Sequence, residues 1–135
     1  MKKHLLLVLS VMIAGNLAAC GRMYSGNYQG SVQETNGVQQ CAGAATLTLN
    51  QNGNTLQGTL QSTTNCGSVQ LQIVGGSING DTITGVTATG SGGCQYTNGN
   101  LSVKGGGNFV ISGQFVPAVS PMICPQIILI NASKE

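Results

Sequence analysis

Tryptophan is absent from these 135 residues, histidine occurs once, and only three side chains are acidic. The lone His4 lies in a leader that opens on Lys2 and Lys3 and runs apolar over residues 5–13, the layout of a secretory signal that is later removed. Beyond it no imidazole remains, so a Ser-His-Asp relay is impossible and general acid–base work falls to Glu34, Asp81 and Glu135. Glu34 stands in a Gln/Asn-rich stretch expected to be a loop, Asp81 holds a turn position where sister units carry Asn, and Glu135 is terminal. All three read as a turn former and solvated charges, so no catalytic residue and no enzyme activity are expected.

Charge is equally sparse. Once the leader is gone, Arg22, Lys104 and Lys134 balance Glu34, Asp81 and Glu135, and without a Lys/Arg footprint nucleic acid has no electrostatic hold. No apolar run reaches the roughly 20 residues of a spanning helix, and no stretch after Cys20 carries a helical period. Cysteine pairs spaced two to four apart are also missing, which argues against a zinc site and against a Cys-x-x-Cys redox centre. The runs Ser91-Gly92-Gly93 and Gly105-Gly106-Gly107 match neither a phosphate loop nor a dinucleotide fingerprint, so they read as flexible connections and no cofactor is expected.

What is present begins with the leader's end. Leu17-Ala18-Ala19-Cys20 resembles the lipobox of bacterial lipoprotein precursors. The resemblance covers residues 1–20 and implies a signal peptide at 1–19, lipid attachment (diacylglycerol and an acyl group such as palmitate) on Cys20, a tether over 20–25, and one domain over 26–135. Several acyl chains hold a protein on a membrane where a single chain binds only marginally. Gly21 follows the cysteine; in the enteric sorting rule that this resembles, Asp there retains the protein in the inner membrane, so Gly implies the outer membrane of the cell envelope.

The domain is repetitive. Gly26, Gly53, Gly80 and Gly107 are each 27 residues apart and open similar phrases: Gly26-Asn27-Tyr28-Gln29-Gly30, Gly53-Asn54-Thr55-Leu56-Gln57-Gly58, Gly80-Asp81-Thr82-Ile83-Thr84-Gly85 and Gly107-Asn108-Phe109-Val110-Ile111-Ser112-Gly113. An internal repeat of this length marks a recurring supersecondary unit. Inside the units the period is two: Ala45, Leu47 and Leu49 alternate with Thr46 and Thr48, and Val69, Leu71 and Ile73 with Gln70 and Gln72, the pattern of half-buried strands. Asn52-Gly53 and Asn79-Gly80 signal hairpins between such runs. Eight strands are expected, over 26–34, 42–50, 55–62, 68–75, 81–89, 94–104, 108–116 and 124–131.

An all-β, eight-stranded antiparallel up-and-down barrel of four hairpin repeats is favoured over a two-sheet sandwich, because a closed meander removes both edges. Ile111-Ser112-Gly113-Gln114-Phe115 resembles the apolar-x-Gly-x-aromatic strands of meander barrels of the avidin and lipocalin type, although the tryptophans of both families have no counterpart. Two Phe and three Tyr cannot form the two aromatic girdles of a membrane-spanning barrel. Leu, Ile and Val are therefore expected inside and Thr, Gln, Ser and Asn outside. Tyr24, Tyr28 and Tyr96 read as packing or rim residues rather than sugar platforms.

Cys41, Cys66, Cys94 and Cys124 fall one to each unit, all at the barrel end opposite the Asn-Gly turns. Four cysteines in an exported domain imply two disulfides. Two pairings join neighbouring units, Cys41–Cys66 with Cys94–Cys124 or Cys41–Cys124 with Cys66–Cys94, and both stay open. The expected function is a non-enzymatic envelope lipoprotein, with the membrane as one partner and a small apolar ligand or an envelope protein as another. A structural or surface-interaction role with a filled barrel is the alternative. A further one is a hydrolase inhibitor, since Ser91-Gly92-Gly93-Cys94-Gln95-Tyr96 loosely resembles, with one residue too many, the Ser-Gly-x-x-Tyr loop of small lysozyme-inhibiting barrels.

Overall fold

A computed structural model describes residues 23–104, 109–120 and 123–135. Eight strands follow one another: β1 (Gly26–Thr35), β2 (Gln40–Asn52), β3 (Thr55–Thr64), β4 (Gly67–Asn79), β5 (Thr82–Gly90), β6 (Gln95–Lys104), β7 (Val110–Phe115) and β8 (Gln126–Lys134). Each pairs antiparallel with the next, and β8 returns to β1, so the sheet is a closed up-and-down barrel. Every expected strand has its counterpart, with ends displaced by at most four residues. The only helical piece among the described residues is a single 3₁₀ turn, Ser91–Gly93.

The interior is built by the two-residue period. Leu47, Leu49, Leu60, Leu71, Ile73, Ile83, Leu101, Ile111, Phe115, Ile127 and Leu129 are buried in one cluster, while Thr46, Thr48, Gln57, Gln61, Gln70 and Gln72 between them are exposed. Burial of a side chain of this size contributes about 1.5–3 kcal/mol.

The two hairpins at the Asn-Gly sites differ from expectation by one residue. Asn52 pairs with Thr55, and Asn79 with Thr82, so the central residues are Gly53-Asn54 and Gly80-Asp81 rather than Asn-Gly. Both glycines have φ +63°, the positive value that a II′ turn requires at its first central position. Thr55 and Thr82 each donate a hydroxyl hydrogen bond back to the carbonyl of Asn52 and Asn79, at 2.8 and 2.9 Å.

The second glycine of each repeat has a different task. Register slips occur in β1 between Gln29 and Ser31, in β3 between Thr55 and Gly58, in β5 between Ile83 and Val86, and in β7 between Ile111 and Gly113. Gly30, Gly58, Gly85 and Gly113 lie at these four irregularities, where a closed sheet turns its corners. A Cβ on Gly58 would lie 2.0 Å from the Thr48 carbonyl oxygen, and one on Gly113 2.2 Å from that of Asn100.

At the turn-bearing end the chain docks before its first strand begins. Tyr24 is fully buried. Its amide donates to Gln51 Oε1 at 2.7 Å, its hydroxyl donates to the Gly80 carbonyl at 2.6 Å, and its own carbonyl accepts the Tyr28 hydroxyl at 2.7 Å. The ring meets Phe109 edge-on at 5.1 Å. Tyr24 thus touches β1, β2, the β4–β5 turn and the approach to β7, closing the barrel floor like a plug; Ser25 Oγ accepts from the Gln51 amide. Both residues, read as tether from sequence, belong to the barrel floor.

Candidate functional site

The cysteines gather where the hairpin logic puts them. Cys41 is the second residue of β2, while Cys66, Cys94 and Cys124 lie in or beside the β3–β4, β5–β6 and β7–β8 connections, all at the end opposite the Gly53 and Gly80 turns. Two disulfides form, Cys41–Cys66 and Cys94–Cys124, with Cα–Cα separations of 5.8 and 5.7 Å. This is one of the two neighbour pairings left open by sequence. Among the described residues no group of three or more His, Cys, Asp or Glu could hold a metal ion. Cys20, the expected lipid attachment residue, lies outside the described residues.

The lumen is occupied by the protein itself. Tyr24, Tyr28, Tyr96 and Phe115 are its largest fully buried side chains, so none of the three tyrosines is an exposed sugar platform. Tyr96 donates its hydroxyl to the Pro125 carbonyl at 2.8 Å. Burial, and after it the charge of Glu34, pushes the Tyr96 phenol up to about 12; burial, and after it Tyr24, raises that of Tyr28.

Glu34 corrects the sequence reading. It is neither in a loop nor solvated: it is an inward-facing residue of β1, 7% exposed, and its Oε2 accepts a hydrogen bond from Thr64 Oγ1 at 3.3 Å. The alternation that carries Tyr28 and Val32 inward carries Glu34 inward too, because position parity along a strand outranks residue polarity. Buried Ser62 completes this polar upper layer. Both described lysines lie at the far end of the barrel, at the ends of β6 and β8.

The surface that stands apart is on the outer wall. A depression of about 560 Å³ crosses β5 to β8, bounded by the outward side chains of Thr82, Thr84, Asn100, Ser102, Ser112, Gln114, Ile128 and Ile130 and backed by the strand backbone at Ile83, Leu101, Gly113 and Leu129, the side chains of Ile83, Leu101 and Leu129 turning into the core. No lining residue is ionisable. Its volume falls within the roughly 300–1,000 Å³ of small-molecule sites, and a few amides and hydroxyls beside apolar side chains, here Ile128 and Ile130, are the usual makeup. Ile128 and Ile130 depart from the expectation that every Ile faces inward: both lie on the outer face, only half-buried. Strand β8 reads Ile127-Ile128-Leu129-Ile130, four apolar residues in a row where other strands alternate. That break in period was the available signal for an apolar outer face, and it is legible only once β8 is known to be a wall strand with one side in water.

A second, smaller cleft of about 170 Å³ opens at the disulfide end between Ser68, Gly90, Ser91, Cys94, Ile123 and Pro125, with Tyr96 at its base. Ser91, Gly92 and Gly93 are exposed there. In comparisons with protein-family models, curated proteins and solved structures, the chain has no match.

Proposed function

We propose that the chain is an exported lipoprotein, acylated on Cys20 and held on the outer membrane, whose barrel is a non-enzymatic binding module for a small uncharged ligand with an apolar body. The observation that carries the binding reading is the β5–β8 groove. It combines the outward apolar side chains of Ile128 and Ile130 with the amide groups of Asn100 and Gln114 on a wall that elsewhere presents mainly Thr, Gln, Ser and Asn. A ligand carrying net charge finds no partner in it, and would lose hydration without compensation. Such a polar outer wall also supports attachment by lipid rather than by insertion, since spanning barrels present an apolar band.

Native mass spectrometry of the lipidated protein, released in mild detergent, tests this. An adduct on the wild type that disappears in the Ile128→Thr/Ile130→Thr double variant is expected. An adduct indifferent to both substitutions would overturn the groove as the site. The filled lumen favours a second reading, a structural envelope lipoprotein; protein that stays bare from every membrane extract favours it over the first.

A further inference from the structure

We infer that the turn-bearing end of the barrel rests on the bilayer, with phospholipid headgroups as its partner, while the disulfide end points away. The inference rests on lipid attachment at Cys20 as proposed above. Tyr24 is clamped to the barrel floor by three hydrogen bonds, so only residues 21–23 separate it from Cys20. From Cys20 to Tyr24 the extended chain spans at most about 14 Å. A ten-residue strand such as β1 rises about 33 Å, or about 25 Å along the axis of a barrel with strands tilted 35–45°. The tether is shorter than the barrel, so the protein cannot invert and bring its disulfide end to the membrane.

Charge is arranged to match. Lys104 and Lys134 end β6 and β8, Asp81 occupies the β4–β5 turn, and Glu135 follows β8, so charges of both signs sit where zwitterionic headgroups would meet them. Lys134 holds its Nζ 5.5 Å from the centre of the Phe109 ring, an apolar stem with a charged head of the kind found at membrane interfaces. At the other end the described residues carry one charged side chain, Glu34, and it is buried. Exposed there instead are Val38, Val119 and Ile123, 83%, 49% and 75% accessible. Those residues would favour lipid on composition alone; the tether length keeps them from it.

The test places the acylated protein in bilayer discs of phosphatidylethanolamine and phosphatidylglycerol doped with a headgroup-linked paramagnetic chelate, and reads amide relaxation along the chain. Enhancement is expected at Gly53, Gly80, Lys104 and Lys134, falling severalfold by Val38, Ser91 and Ile123. Equal enhancement at both ends, or a maximum at Gln114 and Ile128 from a barrel lying on its wall, would overturn the docking. A flexible Gly/Ser spacer longer than the barrel, inserted between Arg22 and Met23, should flatten the gradient; a gradient that survives it sinks the tether argument. An intact mass without acyl chains would remove the anchor itself, a failure distinct from acylated protein that shows no gradient.

Discussion

At the scale of single residues, the positions that matter most carry little or no side chain, or bury a polar one. Gly58 and Gly113 let neighbouring backbone approach where a methyl group cannot fit. Gly58→Ala and Gly113→Ala are each expected to cost about 1–3 kcal/mol as strain or displaced backbone. Gly53→Ala meets no atom within 4 Å and should lose only about 1 kcal/mol to its positive φ; urea denaturation that ranks Gly53 above the other two would contradict the corner role. Tyr96 and Tyr28, both raised by burial, share the alkaline limit. The folded pKa of Tyr96, about 12, lies above the ordinary 10.0, so between these values the unfolded chain has released a proton that the folded chain keeps. The stability it contributes is complete below pH 10 and declines as pH climbs toward 12. Tyr96→Phe should flatten that part of the pH–stability curve while costing about 1 kcal/mol at neutral pH through the lost bond to Pro125. An unchanged alkaline slope in the variant would shift the effect to another group.

At the scale of elements, strand and turn were largely readable because alternation and hairpin chemistry are local. The 27-residue spacing marks equivalent corners, and all four second glycines lie at register slips. The turn centre differs from the sequence expectation by one residue because Asn-Gly and Gly-Asn both satisfy hairpin chemistry, and only the cross-strand register separates them. Glu34 departs from its expected loop for a related reason: a Gln/Asn-rich segment looks like a loop until its parity is fixed by Tyr28 and Val32. The disulfides tie the loops between elements, closing separations of 25 and 30 residues. Removing either pair by Cys→Ser substitution should lower stability by about 3–4 kcal/mol in the chain-entropy model. Peptide mapping without reduction should recover Cys41 with Cys66 and Cys94 with Cys124; recovery of Cys66 with Cys94 would refute the arrangement of the rim.

At the scale of the whole molecule, stability depends on closure. The β1–β8 seam joins the first strand to the last, and beyond it the Glu135 amide donates to the Asn27 carbonyl at 2.9 Å. Ending the chain at Pro125 would leave β1 and β7 as open edges and uncover Tyr28 and Val32, so loss of cooperative unfolding and onset of aggregation are expected in calorimetry and light scattering. A truncated chain that still melted in one sharp transition would show that closure is dispensable. The sequence by itself determined the all-β class, the eight-strand meander and the placing of all four cysteines at one end. Each follows from period, spacing or a contiguous motif, which are properties of neighbours along the chain. Tertiary structure alone decided which cysteines pair, that Tyr24 plugs the floor, that Glu34 is buried, and that Ile128 and Ile130 share an uncharged groove with residues of three other strands. Those are properties of groups brought together across the closed sheet, where distance in space is set by register and curvature rather than by order in the chain.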